Sequence, residues 1–300
     1  MSPYHQGELE VQRRAGVLLN AARIGNGVHG EIPPVARAFA AERRFVVLGA
    51  ADQEEGSVWA TILHGPPGFL TTPTAERLVI AARPGAGDPL AGVLERDTDV
   101  GLLLIDLSTR RRMRVNGRAT PFGETGLEVT TREVYANCPK YIHPREVNPA
   151  PDGEAHDPVA WRGAELTGSQ MALLRATDTL FLASRHPIAG ADVSHRGGIR
   201  GFLYVPAPDR IVIPDYSGNM MFNTLGNLTA DPRAGLLVVD WASGALLQLT
   251  GRAIVNWDSA AIAAFAGAQR LVEFTIDAVV ERRGAGLVTR PADDTPRPAP

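Results

Sequence analysis

Two polar segments in the second half of the chain have residue types that bind an anionic ligand. The first is Asp192-Val-Ser-His-Arg-Gly-Gly198. Within it, Ser194 and His195 could donate hydrogen bonds, and Arg196 offers a bidentate guanidinium fork that suits a phosphate. The glycines that follow allow the backbone to approach a ligand closely. A polar turn without a ligand is the alternative.

The second segment, residues 213–228, is the strongest local pattern in the chain. A strand is predicted to end at Pro214, a polar turn follows, and a helix is predicted to begin near Asn219. Helix N-termini present unpaired N–H groups and a positive dipole end, which together favour a phosphate. Asn219, Asn223 and Asn227 are spaced so that one helical face would offer three amides to a polar ligand. An N-capped surface helix is the alternative.

A basic run in the first half, Arg110-Arg-Arg112 followed by Arg114, lies at a predicted hairpin. Such a run is typical of a solvated sheet edge. Arg112 and Arg114 share one face of the strand and Arg111 points to the other. If the two halves of the chain pack face to face, Arg112 and Arg114 could therefore reach a ligand held by the second half.

Other catalytic motifs are missing from the sequence. It has no serine-nucleophile elbow, P-loop or H-E-x-x-H motif, and its seven histidines do not have zinc-site spacing. Its single cysteine, Cys138, excludes an intramolecular disulfide and suits a reducing compartment. Hydrolase and metalloenzyme functions therefore have no support, and no metal is expected.

Composition narrows the possible partners and location. The net charge of −3 and pI of about 6.2 give no general electrostatic case for nucleic acid. No apolar run approaches the length of about 20 residues that a membrane helix needs. The first residues lack the basic and apolar regions of a signal peptide. A cytoplasmic protein without membrane contact is expected.

The elements that would position these residues occur twice. Residues 101–119 resemble residues 235–253, with Gly101 matching Gly235 and Gly117 matching Gly251 at one constant spacing. Three upstream features also pair, at slightly shorter spacings: Arg77-Leu-Val-Ile80 with Arg210-Ile-Val-Ile213, Gly68-Phe69 with Gly201-Phe202, and His64 with His195. So long a repeat predicts a duplicated domain around a pseudo-two-fold axis. The first copy has no asparagine at residues 81–90, where the second copy has its polar segment.

Short strands separated by regular turns predict a mainly β chain with short helices, arranged as barrel-like units. One helix is predicted from Glu8 to Ile24 and another from Asn219 to Leu228. The predicted organisation is an N-terminal helical segment (1–40), a first barrel unit (41–147), a linker (148–168), a second barrel unit with the ligand motif (169–285) and a disordered tail (286–300).

These motifs resemble the FMN-binding split-barrel superfamily, specifically the pyridoxamine 5′-phosphate oxidase-like flavoproteins with tandem barrels. In the second half the resemblance rests on Ser194-His-Arg-Gly-Gly198, Pro214-Asp-Tyr-Ser-Gly-Asn219, Leu225-Gly-Asn227, Asp231-Pro-Arg233 and Val239-Asp-Trp241. In the first half it rests on Trp59-Ala-Thr61, Pro67-Gly-Phe69, Arg110-Arg-Arg112, Asn116-Gly117 and Asn137-Cys-Pro-Lys-Tyr141. The resemblance implies two tandem antiparallel split β-barrels related by internal duplication.

The resemblance also implies FMN at an interface between barrels, either between the two halves of this chain or between two chains. Residues 215–219, namely Asp215, Tyr216, Ser217 and Asn219 around a glycine, would hold the phosphate together with Arg196. The segment with Lys140 and Tyr141 would reach over the flavin from the neighbouring unit. The biosynthetic oxidase has a Ser-Arg-Lys cluster where this chain has Ser217-Gly-Asn-Met220. Oxidation of vitamin B6 is therefore not the expected activity.

The expected function is that of an FMN-dependent oxidoreductase acting on a small molecule with an electron donor. No catalytic acid or base is assigned. Two alternatives stay open: a non-catalytic flavin- or haem-binding protein, including a sensor, and a deazaflavin-dependent reductase, for which the basic run at residues 110–114 would be the groove. Homodimerisation also stays open, because split barrels commonly pair.

Overall fold

The structure, a computed structural model, describes residues 2–149, 159–283 and 287–290. Within them the chain forms two large antiparallel sheets with short helices around them. The first sheet contains β1 (Phe45–Ala51), β2 (Val58–His64), β3 (Leu70–Thr74), β4 (Arg77–Ile80), β5 (Thr98–Asp106), β6 (Arg111–Phe122) and β7 (Gly126–Ala136). Its spatial order is β2-β1-β5-β6-β7-β4-β3.

The second sheet repeats the first. Its strands are β10 (Thr179–His186), β11 (Gly190–Gly197), β12 (Tyr204–Ala207), β13 (Arg210–Asp215), β14 (Arg233–Val239), β15 (Leu246–Asn256) and β16 (Arg270–Arg282). Their spatial order, β11-β10-β14-β15-β16-β13-β12, is that of the first sheet, with β9 (Val159–Gly163) added beside β16. The predicted fold class, a mainly β chain of two tandem antiparallel split barrels, is confirmed.

Short helices flank the sheets: α1 (Gln6–Arg14), α2 (Leu18–Gly25), α3 (Pro34–Ala41), α4 (Gly168–Ala176), α5 (Asn223–Ala230) and α6 (Ser259–Ile262), with a single 3₁₀ turn at Val93–Glu95. The prediction of one helix from Glu8 to Ile24 was wrong. Gly16 adopts a φ of +70° just after α1, and this left-handed conformation ends the helix. No helix among the described residues is long and apolar enough to cross a membrane.

The strand register shows that the repeat is structural. Gly101 lies opposite Gly49, and Gly235 lies opposite Ala183, the equivalent position. Both long hairpins carry an irregularity at the repeated glycine, Gly117 in one and Gly251 in the other. A Cβ there would lie 2.1 Å or 2.0 Å from a carbonyl oxygen of the paired strand, so a side chain does not fit at either bulge.

The register corrects one predicted pair. His64 lies opposite Phe45, and the equivalent of Phe45 lies opposite Gly197. The residue equivalent to His195 is therefore Ile62, which faces Val47 as His195 faces Phe181. The predicted pair of histidines is therefore wrong by two positions. The first unit has the apolar Ile62 where the second has the polar His195.

The two units pack against each other through an apolar cluster of their own, separate from the core of each sheet. Equivalent residues of the two units belong to it, among them Val47 and Phe181, and Leu103 and Leu237. A Cβ at Gly101 would lie 2.5 Å from the Asp192 Cα in β11, and one at Gly235 would lie 2.6 Å from the Val58 oxygen in β2. The repeated glycines therefore let the backbones of the two units touch.

Two predicted boundaries also change. Helix α5 begins at Asn223 rather than at Asn219, because Met220 and Phe222 have left-handed φ values of 62° and 64° that are incompatible with a helix. Leu287–Arg290, assigned by the sequence to a disordered tail, forms β17 and pairs with β8 (Glu146–Pro149). The rest of that tail and residues 150–158 of the predicted linker lie outside the described residues.

Candidate functional site

A cleft between the two units brings most of the predicted ligand residues together. The first unit contributes β6 and the segment after β7, and the second contributes β11 and the connection from β13 to α5. Of the predicted residues, those lining it are Lys140, Tyr141, His195, Arg196, Asp215, Tyr216, Asn219 and Asn223. Arg112, Arg114, Asn137 and Thr224, which were not chosen as ligand residues, line it too.

Three of the predicted ligand residues do not line the cleft: Ser194, Ser217 and Asn227. The Ser194 hydroxyl lies behind it, 3.0 Å from the Thr224 hydroxyl and 3.3 Å from Arg196 Nε. The Asn227 side chain is used inside the protein, because its Nδ2 donates to Ser184 and its Oδ1 contacts His5 Nε2 at 2.9 Å. The expected row of three ligand-facing amides is therefore wrong.

Of the two remaining asparagines, one lies in the connection to α5 and the other begins the helix. Asn219 precedes the helix, and its Oδ1 accepts a hydrogen bond from the Met221 N–H at 3.1 Å. Asn223 is the first helical residue, and its Nδ2 donates to Glu8 Oε1 at 2.6 Å. Since α5 begins four residues later than predicted, Asn227 lies a full turn inside the helix, away from the cleft.

Arg196 is less available to an anion than its position in the sequence suggests. It forms an ion pair with Asp215, and the Arg270 Nε donates to the other oxygen of the same carboxylate at 2.6 Å. One carboxylate thus lies between two guanidinium groups, so this cluster still carries a net positive charge. Because Arg196 already pairs with Asp215, it would have to share its charge between that carboxylate and any ligand.

Arg112, unlike Arg196, does not pair with a carboxylate of the described residues. Its Nη2 donates to the Cys138 carbonyl at 2.5 Å, its Nε is buried without a hydrogen-bond partner, and no carboxylate of the described residues forms an ion pair with it. Burial, together with the nearby charges of Arg114 and Arg196, lowers the pKa of Arg112 to about 9. An anion bound beside this side chain would relieve that unfavourable burial of charge.

Arg114 is anchored. Its Nη1 lies 3.2 Å from Asp192 Oδ1 and 3.1 Å from the Tyr135 hydroxyl, while its Nε is buried without a partner. Although burial opposes the charge, the attraction of Asp192 raises the pKa of Arg114. The basic run was predicted to be a solvated edge, yet only Arg110 and Arg111 are exposed. The signal in the sequence was the alternation of side chains along a strand, which places Arg112 and Arg114 together on one face of β6.

His195 presents the least expected environment in the cleft. Its ring is 6% exposed, both ring nitrogens lack a hydrogen-bond partner, and its edge packs on Phe181 at 5.9 Å between ring centres. Burial first, and then the positive charges of Arg112 and Arg196, holds the pKa of His195 well below its usual range. The neutral ring offers one donor and one acceptor to a ligand at pH 7.

The backbone around the cleft is strained. Tyr141, Met220 and Phe222 all line it and all have φ values of 62–64°, which side chains rarely adopt. No side chain caps the N-terminus of α5, so the first-turn N–H groups of Asn223, Thr224 and Leu225 lie at the cleft without a capping acceptor. Strain and open helix amides are both features of ligand sites.

The donor set fits the phosphate end of a flavin nucleotide. Four cationic side chains and one carboxylate line the cleft, and the unpartnered buried nitrogens of Arg112, Arg114, Asn137 and His195 are available to acceptor atoms. The free space of about 100 Å³ admits a phosphate-sized group. Tyr141 and Tyr216 also line the cleft, with their rings stacked at 5.4 Å, and Tyr141 is 40% exposed.

One family model and several solved structures are similar to parts of this chain. Residues 32–150 match the family model of pyridoxamine 5′-phosphate oxidase. A candidate pyridoxamine 5′-phosphate oxidase from Lactobacillus delbrueckii is 19% identical, over 39% of this chain and 94% of its own, with a TM-score of 0.33. An FMN-binding protein from Syntrophomonas wolfei is 12% identical, over 37% and 86%, with a TM-score of 0.27.

An F420 reductase is 14% identical, over 38% of this chain and 92% of its own, with a TM-score of 0.26. No curated protein matches the chain. The family model covers the first unit, although the motifs that carried the resemblance are richer in the second. The resemblance to the pyridoxamine 5′-phosphate oxidase family, predicted from the motifs, is confirmed by that match.

Proposed function

We propose that the chain binds FMN in the cleft between its two units and uses it as an oxidoreductase. The observation that carries the proposal is the set of buried nitrogens without protein partners, on Arg112, Arg114, Asn137 and His195, in a cleft of net positive charge. Buried polar atoms are normally satisfied in native proteins, so a group of them facing one space indicates a ligand.

The phosphate would lie against the first turn of α5 and the guanidinium of Arg112. The helix amides and the unpaired cation are the two strongest anion-binding features of the cleft. Arg196 would contribute through the positive charge that it and Arg270 leave around Asp215. His195, held neutral, would provide a hydrogen bond to a polar atom of the sugar chain or ring.

The bound flavin would supply hydride transfer, and the protein would supply orientation and shielding from water. Tyr141 and Tyr216 would cover the ligand at the solvent side. A small-molecule substrate and an electron donor complete the proposed reaction. Haem and a deazaflavin are the competing ligands, and each has its own absorption spectrum.

The test is an absorption spectrum of the purified protein followed by an FMN titration with matched arginine variants. Arg112→Gln should weaken FMN binding by about ten-fold or more, because a hydrogen bond to a charged group is worth roughly 1.5–3 kcal/mol. Arg111→Gln is the control: Arg111 is the preceding residue on β6, is exposed and does not line the cleft. It should bind FMN as the unchanged protein does.

Equal FMN affinities for the two variants would reject the assignment of Arg112. A protein that neither contains flavin nor binds added FMN would reject the proposed function. A Soret band in the purified protein would assign haem instead.

A further inference from the structure

A second cavity adjoins the cleft and has a different character. It lies over β6 and the end of β7 and is bordered by α3 and the loop before it. Its volume is about 460 Å³, which lies within the range of about 300–1,000 Å³ typical of small-molecule sites. Its apolar wall consists of Pro33, Val35, Ala36, Phe39, Met113, Val134, Ala136 and Pro139.

The charged groups of this cavity are cationic. Arg110, Arg111 and Arg112 line it, and none of the described residues that line the cavity is acidic. Phe39 forms part of the floor, and the Arg111 guanidinium lies 4.9 Å from the centre of its ring. An apolar chamber with a cationic side complements a molecule with an apolar body and one acidic group.

The cavity and the cleft share part of their wall. Arg112 and Asn137 line both spaces, and each has a buried nitrogen, Arg112 Nε and Asn137 Nδ2, without a partner. The two spaces therefore adjoin at these two residues. A molecule in the cavity would therefore lie next to a ligand in the cleft.

We propose that this cavity is the substrate pocket, and that its substrate is an apolar organic acid held by Arg111. The assignment of a substrate rests on the proposed flavin function, whereas the binding of an apolar acid does not. The apolar wall takes the body of the molecule, and the arginine side takes its carboxylate. A guanidinium is suited to this because its fork matches a carboxylate bidentately.

Anilinonaphthalene sulfonate, a fluorescent apolar acid, is the probe, and decanoate is the competitor. Binding is measured on the full chain, as purified and after saturation with FMN. Ala136→Trp fills the cavity from an exposed wall position at the end of β7 and should weaken probe binding about ten-fold or more. Its FMN affinity should stay within about two-fold of the unchanged protein, which also shows that it has folded.

Arg111→Gln tests the charge, and Arg118→Gln is its control, an exposed arginine of the same strand outside the cavity. Arg111→Gln should raise the decanoate concentration needed for displacement by about ten-fold, and Arg118→Gln should leave it unchanged. Decanoate should displace the probe from the unchanged protein.

Two results would overturn the inference. Probe binding unaffected by Ala136→Trp would show that apolar acids do not use this cavity. Loss of FMN binding together with probe binding in folded Ala136→Trp protein would show that the cavity holds the flavin ring. If the unchanged protein binds the probe but no FMN, the flavin function fails while the acid-binding site stands.

Discussion

The interface between the two units has two pseudo-equivalent regions, and they differ in how their polar groups are satisfied. In the cleft, β11 presents His195 and β6 presents Arg112. The register places Ile62 and Leu246 at the equivalent positions of the other region, and both belong to the apolar cluster between the units. The same backbone thus carries a polar pair in one region and a hydrophobic contact in the other.

The region equivalent to the cleft also balances its buried cation with a carboxylate of its own. Arg282 occupies the position of Asn137, and Gln248 that of Arg114. Arg282 forms a buried ion pair with Asp88, and the same carboxylate accepts a hydrogen bond from Thr61. Asp88 belongs to the segment between β4 and β5, which takes the place of α5 in the first unit.

A duplicated fold in which one region is satisfied internally would keep a single ligand site. Both regions inherit the same strands and the same close glycine contacts, so geometry does not separate them. The region around Asp88 and Arg282 satisfies its charges with an internal ion pair, and we call it the closed region. The cleft leaves cationic and amide nitrogens without protein partners, and we call it the open region. The difference predicts one ligand per chain rather than two.

The largest expected effect comes from removing the cation of the closed region. Arg282→Gln leaves Asp88 buried without its partner, and breaking a buried pair in this way costs about 3–5 kcal/mol in the free energy of unfolding. Arg112→Gln in the open region should change that free energy by less than about 1 kcal/mol, because no ion pair is lost. Urea unfolding of both variants at pH 7 measures the contrast. Equal losses of stability would remove the proposed distinction between the regions.

A smaller effect is expected at the glycines where the units touch. Gly101→Ala and Gly235→Ala should each lower the free energy of unfolding by about 1–3 kcal/mol, because their new Cβ atoms would overlap the neighbouring backbone. Only Gly101→Ala should also weaken FMN binding, since it displaces Asp192, the partner of Arg114. Gly92→Ala, with no atom within 4 Å of its new Cβ, is the control in both urea unfolding and FMN titration. Equal FMN affinities for the first two variants would contradict this.

The sequence predicted the duplication because the features that define it are local. The equal spacing of Gly101 with Gly235 and of Gly117 with Gly251 reports contacts and bulges that only glycine tolerates at those positions. Strand alternation correctly separated Arg111 from Arg112. The unit boundaries and the ligand roles of the site residues stay predictions.

Pairing between distant residues was out of reach. Asp215 lies 19 positions from Arg196, and Asn227 lies 222 positions from His5. Neither distance along the chain leaves a periodic pattern, so the sequence could nominate Arg196 and Asn227 as ligand residues but not reveal that protein groups already use them. The start of α5 was missed for a related reason. Left-handed conformations at Met220 and Phe222 depend on the surrounding structure rather than on residue type.

The smallest predicted effect concerns α1, which covers α5 on the open side. Glu8 is 3% exposed, accepts hydrogen bonds from the His5 N–H and the Asn223 side chain, and contacts α5 closely at Gly226. Burial is the main cause that raises the pKa of Glu8 to about 8 from its ordinary value of 4.5. A raised pKa in the folded state means that the stability from this group is complete below pH 4.5 and is lost as the pH rises through 8.

The unchanged protein should therefore be less stable at pH 9 than at pH 7, and Glu8→Gln should reduce that loss by roughly 1 kcal/mol, because about one pH unit separates pH 7 from the folded-state pKa of about 8 and one unit corresponds to about 1.4 kcal/mol. Glutamine keeps an acceptor for the His5 N–H, so the cap of α1 persists. Glu10→Gln, an exposed position of the same helix that pairs with Arg13, should leave the pH dependence unchanged. Urea unfolding at the two pH values separates the variants. An identical decline in Glu8→Gln and Glu10→Gln would show that Glu8 ionises without cost, and that α1 does not bury its carboxyl against the start of α5.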